Sequence, residues 1–281
     1  GGAPALLDGR NPLEYLSPCA MIIGILNLSH DSFSGAPADA LRHAELLMSA
    51  GADIIDVGAE ASNPDAKQLS ADEEIELLSP IVSSLIKQNA RISVDTYKAR
   101  TMRAMIDLGV TMINDITALS DKEAIPLLQK SNVKIVLMHA RNRGATAERA
   151  EHEGDVLQSI TAALHARVTA AVDGGIARER LILDPGMGFF LDARPEPSLD
   201  VLRAIPRLRA EFRLPIYIST SRKSFIGTLL GGRTPLDRAA GTLATELFAL
   251  HAGATYIRTH DPRALKDAWT LWSQLTQAER K

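Results

Sequence analysis

Asp53-Ile54-Ile55-Asp56-Val57-Gly58 decides the fold. It is a short β-branched run, apolar on both faces, entered from the small turn Ala50-Gly51-Ala52 and ending on a carboxylate and a glycine. A strand that is apolar on both faces belongs in a parallel sheet covered by helices. Working outward, seven further runs of the same kind follow one another: Ile22-Leu28, Ile92-Thr96, Met112-Ile116, Lys134-Met138, Leu181-Asp184, Pro215-Ser219 and Tyr256-Thr259. The stretches between them carry apolar residues at helical spacing, such as Ala40, Leu41, Ala44, Leu47 and Met48, or Ile75, Leu78, Ile81, Val82 and Leu85. Several end in a glycine suited to a left-handed cap, as at Gly109, Gly175 and Gly253. Eight such units in 281 residues predict one α/β domain, an eight-stranded parallel (β/α) TIM barrel. An open doubly wound sheet is the alternative the pattern leaves.

Composition narrows the function classes. A formal net charge of −3 supplies no field for capturing nucleic acid, and no run of like charges suggests a solvating tail. No apolar stretch reaches the roughly 18 residues of a spanning helix, so neither a nucleic acid nor a membrane is an expected partner. The single cysteine, Cys19, excludes an intramolecular disulfide and fits a reducing, cytoplasmic setting. Gly1-Gly2-Ala3-Pro4 lacks the features of a signal peptide and reads as a processing scar. Residues 1–18 are expected to form an arm on the closed face of the barrel, and 19–281 the barrel domain.

The polar residues gather at one end of the strands. In a parallel barrel the carboxyl ends of all strands open on one face, which holds the active site. Here those ends carry Asn27, Asp56, Asp95, Asn114 with Asp115, His139, Asp184, Ser219 with Ser221, and Arg258 with His260. Any one Asp or Asn could simply cap the next helix. The recurrence at strand after strand points instead to a ligand that offers N–H donors to buried carboxylates. Ser221-Arg222-Lys223-Ser224 follows the seventh strand and precedes a helix, where barrels commonly bind phosphate; a solvated basic turn is the bland reading. Acids and amides at the centre with cations at the rim imply a flat heterocycle deep inside and an anion near the mouth. Among the 7 histidines no zinc-type pair occurs. Mg²⁺ held mainly by substrate phosphates would leave little trace in sequence.

These motifs together resemble dihydropteroate synthase, over Ile22 to about Leu275. The matching segments are Gly24-Ile25-Leu26-Asn27-Leu28-Ser29-His30-Asp31-Ser32-Phe33-Ser34, the Asp53–Gly58 run, Ser93-Val94-Asp95-Thr96, Ile113-Asn114-Asp115-Ile116, Leu183-Asp184-Pro185-Gly186-Met187-Gly188-Phe189, Ser221-Arg222-Lys223-Ser224 and Ile257-Arg258-Thr259-His260. The resemblance implies a transferase of folate biosynthesis that joins 6-hydroxymethyl-7,8-dihydropterin pyrophosphate to p-aminobenzoate, by a dissociative route through a pterin methylene cation. By the same resemblance Asp95, Asn114, Asp184 and Lys223 hold the pterin between the apolar faces of Ile116 and Met138. Asn27, Arg258 and His260 meet the pyrophosphate, Asn27 ligates Mg²⁺, and Ser62, Pro64, Phe189, Phe190, Ser221 and Lys223 border p-aminobenzoate. Asp95, Lys223 and Asn27 are the implied catalytic residues, and a homodimer through late helices is implied as well.

The chain departs from the family pattern at two loops. Gly35 stands where an Asp usually follows Ser-Phe-Ser, and Ala61-Ser62-Asn63-Pro64 replaces the usual Ser-Thr-Arg-Pro. The loss of both partners removes an ion pair rather than stranding a charge. The loop Ala61-Ser62-Asn63-Pro64-Asp65-Ala66 and the stretch from Asp184 to Leu191, with Phe190 where the family has Gly, resemble sulfonamide-insensitive, resistance-associated forms; lineage drift is the other account. Two other classes remain open: a pterin-binding methyltransferase, which would not cleave pyrophosphate, and a pterin-binding protein without turnover.

Overall fold

A computed structural model describes residues 20–28, 37–60, 68–141, 147–151 and 153–277. The expected arm, Cys19, Gly35, and the loop residues Ser62, Asn63 and Pro64 lie outside the described residues. The elements alternate as β1 (Met21–Asn27), α1 (Pro37–Ser49), β2 (Ile54–Gly58), α2 (Ala71–Lys87), β3 (Ile92–Asp95), α3 (Ala99–Leu108), β4 (Met112–Asp115), α4 (Ala124–Gln129), β5 (Lys134–Met138), α5 (Val156–Asp173), β6 (Leu181–Asp184) and α6 (Glu196–Phe212). They continue as β7 (Tyr217–Ile218), α7 (Ser224–Leu229), α8 (Ala239–His251), β8 (Tyr256–Thr259) and α9 (Pro262–Gln277).

All neighbouring strands pair in parallel, in the order β6-β5-β4-β3-β2-β1-β8-β7. The parallel bridge Leu183↔Ile216 joins the two ends of that order, which closes the sheet and excludes an open doubly wound arrangement. The seventh run pairs over only two residues, fewer than Pro215-Ser219 predicts. Pro215 has no N–H to give a ladder, and Ser219 has already left it for the loop.

Period-two alternation sorts each strand into an outer and an inner face. Outward residues such as Leu26, Ile55, Val57, Val94, Ile113, Leu137 and Leu183 join the helices in the main core. Inward residues form a separate small cluster of Ile23, Ile54, Met112, Val136, Ile182 and Tyr217, the floor of the barrel. Two positions further along the strands, the inward places are taken by Asp56, Asn114, Met138, Asp184 and Ser219. On β8 the same step leads from Tyr256 to Arg258. The strand period therefore puts a polar layer directly above an apolar one.

Between strands the local signals act as expected. Ser70 opens α2 with a capping box, its hydroxyl accepting from Glu73 N–H while the Glu73 carboxylate accepts from Ser70 N–H at 2.7 Å. Gly109 closes α3 at φ 104°, a conformation that a residue bearing Cβ resists. Two rows of helix positions bear this out in packing, since Leu78, Ile81, Val82 and Leu85 of α2 are all buried against the sheet.

Candidate active site

Arg258 holds the centre of the polar layer. Its Nε donates to Asp56 Oδ2 at 2.6 Å, and its Nη2 donates to Asp95 Oδ2 at 3.0 Å. Asn114 Nδ2 donates to the same Asp56 oxygen at 3.2 Å. Sequence reasoning puts Arg258 at the rim with the other cations; the structure puts it inside, among the acids, because β8 presents it inward from the layer above Tyr256. Asp56 is the residue that the assignment of roles passed over. It is fully buried and anchors both Arg258 and Asn114.

Asp184 ends β6 on the other side of the ring, where its Oδ1 accepts from Gly186 N–H at 2.7 Å. Gly186 takes φ 79°, and a Cβ there would collide with the His139 carbonyl, so this turn requires glycine. Asp95, Asn114, Asp184, Lys223 and Arg258 line one cavity with Ile116, Met138, Met187, Phe190, Tyr217 and Ser219. With the side chains as they stand its volume is about 20 Å³, room for little more than a water. A bicyclic ring needs more room than that, and Lys223 and Phe190 stand together on the lining. Their contact is a cation over an aromatic face, the ammonium 4.9 Å from the ring centroid. Ile116, Met138 and Phe190 form an apolar cluster that would flank such a ring.

Lys223 and Phe190 also line a second cavity, of about 510 Å³, with Phe189, Arg149, Arg222 and Arg238. The Lys223–Phe190 pair is therefore the wall between a small chamber of paired charges and a larger basic one. Arg222 adopts φ 59°. The strained turn is braced by Thr242 Oγ1, which accepts from Arg222 N–H at 3.1 Å, and by Arg238 Nη1, which donates to the Arg222 carbonyl at 2.7 Å. No sequence signal links Arg238 to this turn, because the two lie on either side of α7.

Ser221 and His260 meet at the same end of the barrel. The Ser221 hydroxyl accepts from His260 N–H at 3.2 Å and lies 2.8 Å from His260 Nδ1. Burial, with Arg222, Arg258 and Lys223 nearby, brings the His260 pKa down to about 3. His260 is thus a neutral ring rather than a rim cation, and which of the two groups donates in the Ser221–Nδ1 bond follows its tautomer. Asn27 ends β1 beside Gly58 of β2.

Burial dominates the ionisation of the cradle. It pushes Asp95 up to about 7, with Asp56 adding to the rise and Arg258 opposing it. Burial likewise lifts Asp184 to about 6 against the Gly186 N–H and Lys223. Lys223 falls to about 8 through burial and the repulsion of Arg258, offset by Asp184 and Asp95. Arg258 would be lowered by burial, yet Asp56 and Asp95 hold it above its ordinary value.

Asp115 belongs elsewhere. Its carboxylate accepts from Thr117 N–H, Thr117 Oγ1 and Leu119 N–H at 2.7–2.9 Å, so it caps the turn after β4 as the bland reading of strand-end acids has it.

With this geometry in place, comparison with known proteins is informative. Residues 23–260 match the family model described as pterin binding enzyme. Dihydropteroate synthase type-2 of Escherichia coli is 43% identical over 265 residues, covering 92% of this chain and 97% of that protein. The chain belongs to the dihydropteroate synthase family. Dihydropteroate synthase type-1 of Pseudomonas aeruginosa is 39% identical, with coverage of 91% and 94%. Among solved structures, Xanthomonas albilineans dihydropteroate synthase with 4-aminobenzoic acid superposes at TM-score 0.86 and 34% identity, covering 92% of this chain and 94% of that one. The Burkholderia cenocepacia dihydropteroate synthase complexed with 7,8-dihydropteroate matches at TM-score 0.84 and 34% identity, with coverage of 94% on both sides. In dihydropteroate synthase terms, Asp95, Asn114, Asp184, Lys223, Ile116, Met138, Phe190 and Arg258 share one cavity, and Phe189 adjoins it. Ser221 and His260 form a separate pair beside it.

Proposed function

We propose that this chain condenses 6-hydroxymethyl-7,8-dihydropterin pyrophosphate with p-aminobenzoate, giving 7,8-dihydropteroate and pyrophosphate. The observation that carries the proposal is the pair of chambers sharing one wall. The inner chamber offers carboxylates and an amide to an amino-pyrimidine edge, and the outer one offers cations to a carboxylate. Asp95, Asn114 and Asp184 accept the N–H groups of the pterin, and Lys223 donates to its carbonyl or ring nitrogen. Ser221, Phe189 and Phe190 border the p-aminobenzoate. His260 and Asn27 meet the pyrophosphate. Arg258 fixes Asp95 and Asp56 with two of its N–H groups and offers the others to the pyrophosphate.

The residues fit a dissociative mechanism. Asp95 and Asp184 favour positive charge growing on the pterin as pyrophosphate leaves, and donors around the leaving oxygens stabilise the charge appearing there. The arylamine nitrogen attacks with a free lone pair, so no strong general base is needed. Among the described residues no group of three His, Cys, Asp or Glu could hold a metal. Mg²⁺ would therefore be held by the pyrophosphate together with Asn27, and would supply charge neutralisation to the leaving group.

The proposal extends to a homodimer, for which the exposed apolar Phe248 of α8 with Leu271 and Trp272 of α9 supplies a surface. It also extends to a cytoplasmic setting; among the described residues no helix is long and apolar enough to cross a membrane. Phe190, on the wall of the outer chamber, would discriminate against the bulkier sulfonyl group and confer sulfonamide resistance. Pyrophosphate release tests the main reading: it should require both substrates together. Saturable pterin binding with no release would instead indicate a binding protein, and methyl transfer from methyl-tetrahydrofolate would indicate the methyltransferase class.

A further inference from the structure

Of the six buried side chains in the barrel floor, Tyr217 alone carries a polar tip. Its ring packs among Ile23, Ile54, Met112, Val136 and Ile182 and stacks on Tyr256, with centroids 6.3 Å apart. Tyr217 lines the inner chamber, and its buried hydroxyl has no hydrogen-bond partner among the described residues. A phenylalanine would fill the same floor without burying an unbonded hydroxyl, which is costly to leave unmade. Burial and the nearby carboxylates, Asp56 foremost, hold the phenol protonated, so the group is a donor.

Arg258 gives one N–H to Asp56 and one to Asp95, and Asn114 Nδ2 gives one to Asp56. Asp95 and Asp184 are chiefly acceptors. A pterin edge presents acceptors as well as N–H groups; for those the chamber has Lys223, Ser219 and the remaining N–H groups of Arg258 and Asn114 around its sides, and Tyr217 from the floor. We infer that Tyr217 is a specificity-determining residue whose O–H donates to an acceptor atom of the bound heterocycle, from beneath the acid and amide cradle. The inference rests on the dihydropteroate synthase reading and adds a floor contact to it.

The test is Tyr217→Phe, read by calorimetric titration with 6-hydroxymethyl-7,8-dihydropterin pyrophosphate, by steady-state kinetics, and by thermal unfolding of the ligand-free protein. The expected result is a Kd for the pterin pyrophosphate raised about tenfold. KM for p-aminobenzoate should stay within about twofold. The ligand-free Tm should be unchanged or higher, since an unbonded buried hydroxyl has been removed. An unchanged Kd overturns the inference, and so does a lowered ligand-free Tm, which would mean that the hydroxyl serves a protein group such as Asp56. If the parent itself fails to bind the pterin pyrophosphate, the functional reading falls and this inference with it. A parent that binds no better than the variant removes this inference alone.

Discussion

Replacing Asp95 by Asn sets activity and stability moving in opposite directions. The carboxylate sits among Arg258, Asp56 and Lys223, and burial raises its pKa to about 7. Asn keeps the shape and a hydrogen-bond acceptor but loses the charge. Exchanging a charged acceptor for a neutral one weakens the hydrogen bond by about 1–1.5 kcal/mol. Attraction to a half-developed pterin cation at roughly 4 Å, in an effective dielectric of about 20, adds about 2 kcal/mol. The sum predicts a fall of about 200-fold in kcat/KM for the pterin substrate, measured by pyrophosphate release. The parent's kcat/KM should climb with pH up to about 7 as Asp95 ionises, and the Asn variant should lack that limb. Stability runs the other way. A carboxylate whose folded pKa lies above its unfolded value binds its proton more tightly in the native state, so stability is lost as pH rises from about 4 to about 7. Above pH 7 the Asn variant should therefore unfold at higher urea than the parent. A loss in kcat/KM below about tenfold, or an acid limb surviving unchanged in the variant, would refute the assignment of Asp95.

Three further outcomes follow from the chamber wall and its brace. Lys223→Ala should raise KM for both substrates by about tenfold, because the ammonium serves both chambers; normal KM values for both would count against that dual position. Phe190→Gly should lower the sulfamethoxazole IC50 at fixed p-aminobenzoate by at least about tenfold, and an unchanged ratio of IC50 to KM would assign the ring no part in discrimination. A Cβ at Gly227 would run into the Arg238 guanidinium that holds the Arg222 carbonyl. Gly227→Ala and Arg238→Ala should therefore each raise KM for p-aminobenzoate several-fold, and their double variant should be no worse than the worse single, a non-additivity that independent effects would not produce.

Much of the barrel was legible in the chain because the strand signal is local. Runs such as Ile54-Ile55 and Ile135-Val136-Leu137 are apolar on both faces, and only a helix-covered parallel sheet accommodates that in every unit. The cradle was legible because strand ends converge, so Asp95, Asn114, Asp184 and Lys223 needed no pairing information to be grouped. What could not be read was which polar residues would satisfy one another. Asp115 and Asn114 are adjacent and chemically alike, yet the pleat turns one outward to cap a turn and the other inward to the cavity. Nothing local in the sequence tells that Arg258 also holds Asp56 and Asp95 on its guanidinium. Tyr217 looks like one more aromatic core residue, and only its position above the floor exposes the unanswered hydroxyl. The reach of Arg238 back over α7 to Arg222 depends on a tertiary fold that no local pattern encodes.

The short seventh strand divides the ring unequally. Its link to β6 is a single bridge and one amide from Leu183 to the Pro215 carbonyl, whereas the other junctions are laddered over two to five residue pairs. Asp184 stands on one lip of that seam and Ser219 with Lys223 on the other. When the protein breathes, the hoop should part there first, carrying the Asp184 carboxylate away from the lysine before any helix melts. Deuterium uptake at Leu183 that slows on ligand addition would show the substrate acting as the missing staple of its own barrel.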